Sequence, residues 1–211
     1  MRRFGSKVTV IDQNSRLVHR EDPDISDALQ ELFQDEGIEV ILNAHPLCVT
    51  GVSGREVEVR VVQCGKERIL QGTDLLVATG RTPNTEGIGL EIAGVELTNH
   101  GYIKVNERLE TTAASVWAVG DCAGSPQFTH IAFDDFRVIR DSLAGKHRVT
   151  TDRQVPFCLF TDPEFARVGL SETEAKAKGI AYRLASIPMA AVLRTRTLSE
   201  TRGFMKVTCL R

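Results

Sequence analysis

Two aspartates stand where short apolar runs end, and both are placed to hold a hydroxylated ligand. Val116-Trp117-Ala118-Val119 runs into Gly120-Asp121. A buried strand that delivers a Gly-Asp pair at its carboxyl end lets backbone approach a ligand closely, and the carboxylate accepts a hydrogen bond from a sugar-like chain. Ligands of open α/β sheets bind outside such strand ends. A helix starting near Phe128 and Thr129 adds free N–H groups for the polar edge of a ring. The plainer reading of Asp121 is an ordinary capping aspartate in a loop. Asp12 follows the run Val8 to Ile11; a carboxylate there can accept from the ribose hydroxyls of a nucleotide and repel an additional phosphate. Taken alone, Asp12 is better explained as a solvated strand-end acid, and only the later motifs reverse that order. Arg16, four residues on, tempers the preference, because an arginine nearby can meet a 2′-phosphate.

The remaining chemistry-bearing residues have bland explanations. Cys48, Cys64, Cys122, Cys158 and Cys209 are odd in number and scattered, without a C-x-x-C pair, which speaks against a disulfide framework or a zinc site and for reduced thiols. Cys122 adjoins Asp121 but has no sequence neighbour to lower its pKa, so packing explains it. Arg194 and Arg196 could bind an anion; a solvated or dimer-contacting loop is the simpler reading. No metal-ligating set and no catalytic residue is identified.

The elements that position the aspartates follow from periodicity. Ile25, Leu29, Leu32 and Phe33 mark one face of a helix, with Asp22 as N-cap, Pro23 at the first helical position and Gly37 after the last turn. A strand at Val8 to Ile11 precedes it and another at Ile38 to Leu42 follows, giving a βαβ unit with a parallel sheet. Val57, Val59 and Val61 alternate with charged residues between the turns Ser53-Gly54 and Cys64-Gly65-Lys66, which reads as an antiparallel excursion. Leu75 to Ala78 reads as a strand buried on both faces, as does Val116 to Val119. Phe128 to Leu143 is a helix with Ala132, Phe136, Ile139 and Leu143 on one side, closed by Gly145. Beyond Thr150 the texture is α+β: a strand at Val155 to Phe160, a capping box from Ser171 and Glu174 opening a short helix, and strands near Tyr182 to Ile187 and Gly203 to Thr208. At the start, Met1 to Phe4 reads as a helix tail stopped by Gly5.

Lys and Arg total 26 against 28 Asp and Glu, a net charge of −2. That balance, with no basic stripe, excludes a nucleic-acid glove. No run is long enough to span a bilayer, and Met1-Arg2-Arg3 lacks the apolar stretch of a signal peptide, so a cytoplasmic protein is expected.

The runs Ala78-Thr79-Gly80-Arg81-Thr82-Pro83-Asn84, Val116 to Asp121, and Phe160-Thr161-Asp162-Pro163-Glu164-Phe165-Ala166-Arg167-Val168-Gly169-Leu170 resemble, in order and approximate spacing, the pyridine nucleotide–disulfide oxidoreductases. Gln127 to Phe136 is similar to the mercuric-reductase-like branch of that family, which includes the bacterial reactive-chlorine-resistance flavoprotein. The resemblance implies an α/β fold: incomplete Rossmann-like nucleotide-binding domains, a parallel sheet with an antiparallel excursion, and the start of an α+β interface domain. Residues 1–79 would be the C-terminal part of the NAD(P)-binding domain, 80–149 that of the FAD-binding domain, and 150–211 the N-terminal part of the dimerisation domain. It also implies roles. Gly120 and Asp121 would hold the ribityl chain of FAD. Gln127, Phe128 and Thr129 would set backbone groups against the flavin's pyrimidine edge, with Ala132 on the same helix also at the FAD site. Gly80 would line the NAD(P) site and Asp12 would meet the adenosine ribose, with NAD favoured over NADP. Asp12, Gly80 and the end of the 38–42 strand are expected on one side of the parallel sheet.

Departures from the family weigh as much as matches. Both Gly-rich phosphate turns, the C-x-x-x-x-C pair and the C-terminal His-acid pair are absent from this sequence, so an interior piece, inactive alone, is expected. His130 with Asp135 mimics the His-acid spacing but falls where the family's flavin-facing helix begins, so a satisfied or partly exposed helix-start histidine is the better reading. The whole enzyme would be a homodimer passing a hydride from NAD(P)H through FAD to a cysteine pair, and then to a small-molecule or metal-ion acceptor. Two other readings stay open: an NADH-dependent electron-transfer flavoprotein without redox cysteines, and a non-catalytic module that binds a partner subunit.

Overall fold

The computed structural model describes residues 1–210. It forms two compact units, one of residues 1–77 with 170–211 and one of residues 78–169. Compactness thus divides the chain at other places than the three segments expected above, with 150–169 joining 78–149 and 170–211 joining 1–77.

In the first unit, β1 (Thr9–Ile11) and β2 (Glu39–Ile41) pair in parallel, Val10 opposite Val40, across helix α1 (Pro23–Asp35). This is the expected βαβ unit, since two parallel strands need a crossover. Leu29 and Leu32 are the buried apolar residues of α1, with Pro23 at its start. The antiparallel excursion is also present: β3 (Ala44–Val52), β4 (Glu56–Gln63) and β5 (Lys66–Gly72) form a meander. Its period-two pattern buries Val57, Val59 and Val61 with Ile41 and Ala44, and Ile11, Leu70 and Leu75 pack against them. The register shifts between Pro46 and Cys48, at a proline that has no N–H to donate to the ladder. Arg2–Phe4 is a single 3-10 turn stopped by Gly5 in the left-handed region, φ 93°.

The C-terminal part of this unit is α3 (Glu172–Ala177), the hairpin β8 (Tyr182–Pro188) with β9 (Phe204–Leu210), and α4 (Leu193–Thr197) between them. The capping box is formed as the sequence requires: Ser171 Oγ accepts from Glu174 N at 3.1 Å, and Glu174 Oε2 accepts from Ser171 N at 2.8 Å. Arg194 and Arg196, expected in a loop, lie instead on α4, where Thr195 Oγ donates to Val192 O at 2.9 Å and anchors the turn.

The second unit is mostly irregular chain around helix α2 (Thr129–Leu143), with the short antiparallel pair β6 (Phe157–Leu159) and β7 (Phe165–Arg167). Val95, Ile103 and Ala118 form a small core against which Leu90, Val105, Ala113 and Cys122 pack.

Three further expectations, on two strands and a helix face, need correction. Leu75 to Ala78 is not a strand; Leu76 and Val77 are 71% and 69% exposed, because no strand of the described residues pairs with them. Val116 to Val119 is likewise not a strand but holds a single bridge, Trp117 opposite Glu110. The face of α2 is also rotated. Ile131, Asp135 and Val138 are buried, whereas Phe136 and Leu143 are exposed; a carboxylate, invisible to an apolar-periodicity count, is part of the inward stripe.

Asp22 is the largest surprise in the first unit. It occupies the N-cap position of α1 with the expected extended backbone, but its side chain makes no capping bond there. The carboxylate caps a different helix: it accepts from Glu172 N at 3.0 Å, Thr173 N at 2.8 Å and Thr173 Oγ1 at 2.6 Å, and pairs with Lys206 Nζ at 2.9 Å. Lys206 also meets Asp24 at 2.8 Å. Burial alone would raise the Asp22 pKa; the hydrogen bonds from Thr173, Lys206 and Glu172 outweigh it and hold the carboxyl well below the usual carboxylate range. Burial works against the Lys206 charge too, and Asp24 with Asp22 more than offset it, raising its pKa.

A folded pKa below the unfolded one stabilises the protein above the unfolded value, near pH 4, and that contribution is lost as pH falls through the folded pKa. Asp22→Ala should therefore destabilise the chain by about 3 kcal/mol at neutral pH, where it leaves a buried lysine short of a partner. Chemical denaturation at several pH values checks this: the gap between wild type and variant should be full at pH 7 and shrink steadily below about pH 4. A gap independent of pH would show that the carboxylate charge is not what matters.

Candidate functional site

The site is built in the second unit on the loop between Ala118 and α2. Gly120–Ala123 turns as a 3-10 helix closed by Gly124. Gly120 has φ +69°, and a Cβ there would lie 3.2 Å from the Ala132 Cβ. Only glycine meets both demands, so the turn can sit directly on α2. The amide of Gly120 donates to Asp135 Oδ2 at 2.7 Å, and Asp135 Oδ1 accepts from Arg153 at 2.5 Å.

Asp121 follows with its carboxylate half exposed, on a cleft of about 450 Å³ lined by Arg81, Thr82, Pro83, Asn84, Tyr102, Asp121, Cys122 and Gln127. Arg81 Nη1 donates to Asp121 Oδ2 at 2.8 Å. Both side chains are at least half exposed, and an ion pair in that setting is worth about 1 kcal/mol at most, so a ligand hydroxyl can share or displace it. Phe128 takes the N-cap position of α2 and makes no side-chain capping bond, which leaves the first N–H groups of the helix for another acceptor. Thr129 is the first helical residue, and Ala132 is half-buried against the Gly120 turn. The structure therefore brings together Gly120, Asp121, Gln127, Phe128, Thr129 and Ala132. It adds Arg81 and Tyr102, which the sequence reading left without a role. The Gly80-Arg81 motif was a signal for Arg81; Tyr102 had none.

Asp12 belongs to the first unit. Its N–H donates to Ile41 O at 2.9 Å, so it lies beside the carboxyl end of β2, where a nucleotide ribose would be expected. Its Oδ1 accepts from both the N and Nδ2 of Asn14 at 2.8 Å. Arg16 is directed to Asp27 at 2.9 Å and to the carbonyl of Pro23. Gly80, with φ +129° and open space where a Cβ would be, lies in the second unit beside Arg81 in sequence.

The bland readings of His130 and Cys122 agree with the geometry. His130 Nε2 is 2.9 Å from the carbonyl of Pro156, and its ring stacks on Phe128 at 5.1 Å. Asp135, its apparent partner in sequence, is fully buried and committed to Gly120 and Arg153. Cys122 Sγ is 3.3 Å from the Val119 carbonyl and packs on the small core. No group of three or more His, Cys, Asp or Glu able to hold a metal occurs among the described residues, nor does a helix long and apolar enough to cross a membrane.

The family described as pyridine nucleotide-disulphide oxidoreductase matches residues 1–135, and its dimerisation domain matches residues 155–211. Over 206 residues the chain is 40% identical to the probable pyridine nucleotide-disulfide oxidoreductase RclA of Escherichia coli, covering 96% of this chain and 45% of that protein. A mercuric reductase of Staphylococcus aureus is 34% identical over 212 residues, covering 97% and 37%. Among solved structures, the HOCl-induced flavoprotein disulfide reductase RclA from Escherichia coli superposes with a TM-score of 0.86 at 38% identity, covering 98% of this chain and 47% of that one. LpdA from Mycobacterium tuberculosis gives 0.88 at 29% identity, covering 100% and 45%. The chain thus spans about half the length of the relatives it matches, or less.

Because Gly120 is both left-handed and in contact with Ala132, Gly120→Ala should destabilise the second unit by about 2 kcal/mol, part strain and part overpacking. Urea denaturation measures it. The companion Gly80→Ala, where no atom stands in the way, should cost only its backbone strain, about 1 kcal/mol. Equal effects of the two would deny the close packing of the turn on α2.

Proposed function

The chain belongs to the pyridine nucleotide-disulphide oxidoreductases, and from that premise we propose that it supplies the second half of both nucleotide sites of an FAD-dependent NAD(P)H oxidoreductase. The observation that carries this reading is the Gly120–Asp121 turn, which sets a half-exposed carboxylate on a cleft of about 450 Å³. The residues present fit a flavin dinucleotide. Asp121 is an acceptor for polyol hydroxyls, Arg81 gives the same cleft a cation, and the open N-terminus of α2 offers N–H donors to the oxygens of a ring edge. When bound, FAD supplies the capacity to take up a hydride and pass on an electron pair.

What this chain does is bind and orient. Gly120 lets the backbone come close, and Gln127, Phe128 and Thr129 would set backbone groups at the start of α2 against the flavin's pyrimidine edge, with Ala132 one turn in. For the nicotinamide cofactor, Asp12 would accept from the adenosine ribose and Gly80 would line the site. NAD over NADP is supported by the Asp12 carboxylate and by Arg16, which is engaged with Asp27 rather than turned to a phosphate. The segments 1–79, 80–149 and 150–211 would then be parts of NAD(P)-binding, FAD-binding and dimerisation domains, the last pairing two subunits. The enzyme would deliver electrons through a redox-active cysteine pair to a small-molecule or metal-ion acceptor in the cytoplasm.

Two measurements test this reading. The 211-residue chain should bind FAD weakly, with a dissociation constant above about 10 μM, because it has no Gly-rich helix N-terminus to hold the pyrophosphate. Tight stoichiometric flavin on this chain would show that such a turn is dispensable. In the complete flavoenzyme, Asp121→Ala should lower flavin affinity by about one to two decades, the loss of a charge-assisted hydrogen bond. Cys122→Ser should change it little. Flavin released on dilution, read by absorbance of the filtrate, ranks the two; the reverse order would sink the assignment of Asp121.

A further inference from the structure

Asp135 is a carboxylate in the middle of a helix, on the inward stripe with Ile131 and Val138, and it is fully buried. Burying an ionised carboxylate costs several kcal/mol unless each oxygen finds a partner. Both do. Oδ1 takes the guanidinium of Arg153 at 2.5 Å, and Oδ2 takes the amide of Gly120 at 2.7 Å. Arg153 is itself only 10% exposed and leans on Asp134 at 3.4 Å, while Asp134 is held by Arg148 at 2.5 Å. If charge pairing were all that was needed, a surface position would serve as well and without the desolvation. The buried placement is explained by the second oxygen, which reaches a backbone amide 15 residues earlier in the chain.

Ala132 lies one helical turn before Asp135, and its Cβ is what a side chain on Gly120 would meet, at 3.2 Å. Helix α2 thus presents two residues to Gly120, a small one that sets how close the turn comes and a carboxylate that sets how its amide points. Asp121 is the next residue, so the direction of its carboxylate follows from the orientation of the Gly120 peptide. We propose that Asp135 is the positioning residue of the Gly120–Asp121 turn, fixing the Gly120 amide so that Asp121 faces the cleft. This inference rests on the reading of Asp121 as the acceptor for the flavin polyol.

The test uses the ¹⁵N-labelled 211-residue chain, with Gly120 and Asp121 amides followed by NMR. In the wild type the Gly120 amide should be protected from hydrogen exchange. Asp135→Ala should speed that exchange about tenfold or more, as expected for loss of a hydrogen bond to a charged acceptor. Asp135→Asn, which keeps an acceptor oxygen, should restore most of the protection, and Asp134→Asn should leave it unchanged. An unprotected Gly120 amide in the wild type overturns the proposal even if Asp135→Ala does not fold; so does an Asp135→Ala chain with unaltered exchange. FAD added to millimolar concentration separates the two layers of the argument. It should shift the Asp121 and Gln127 amides of the wild type, and several-fold less in Asp135→Ala. Loss of Gly120 protection with an undiminished FAD response would overturn the positioning role. An FAD response absent from the wild type would overturn the flavin reading of Asp121, with Gly120 exchange still deciding whether Asp135 holds the turn.

Discussion

The candidate site depends on one contact, the seating of Gly120 on helix α2. The Gly120–Ala123 turn enters the cleft from a peptide wedged against Ala132 and hydrogen bonded to Asp135, and Arg81 then holds the Asp121 carboxylate. The turn belongs to no named strand; Gly124 N and Ser125 N close it on Asp121 O and Gly120 O, Ile103 N ties Cys122 O to the small core, and the contact at Gly120 seats it on the helix. A glycine at +69° and a small residue opposite it are therefore one feature expressed at two places in the sequence.

The first unit solves a similar problem with the same chemistry. Asp22 is buried, satisfied by amides 150 residues away at the start of α3, and neutralised by the nearly buried Lys206. In both units a buried aspartate accepts from backbone and from a buried cation. Such a pair adds little net stability over an apolar contact, but it tolerates only one arrangement, since any slip strands a charge. That suits a junction that must keep one register. It also explains why both aspartates sit at the junction of segments distant in sequence, where apolar packing alone would allow sliding.

Much of this was legible in the sequence, and the rest was hidden for identifiable reasons. Local signals were faithful: Pro23 at the start of α1, the Ser171–Glu174 capping box, the alternation of Val57, Val59 and Val61, and the left-handed stop at Gly5. Each depends on residues within one turn or one strand. Asp22 and Asp135 were not legible, because their partners lie far along the chain. Asp22 looked like a cap for its own helix and caps another; Asp135 was noticed only for its spacing from His130 and is fully buried. Arg81 was quoted within a motif, yet its link to Asp121, 40 residues on, has no sequence signature.

The misread strands are informative in a different way. Leu75 to Ala78 is apolar throughout, the pattern of a strand covered on both faces, yet Leu76 and Val77 are 71% and 69% exposed. Phe133 and Phe136, which stack near each other on α2, are 57% and 51% exposed. Covering side chains of this size is worth about 1.5–3 kcal/mol each, and the described residues leave them uncovered. Relatives are roughly twice as long, and among the described residues the one parallel pairing is β1 with β2. These apolar runs stay uncovered, while the polar contacts at Gly120 and Asp22 are satisfied among the described residues. Sequence and structure agree where hydrogen bonds close within one turn, as at Ser171 and Glu174, and part where a side chain needs a partner beyond its own element, as at Leu76, Asp22 and Asp121.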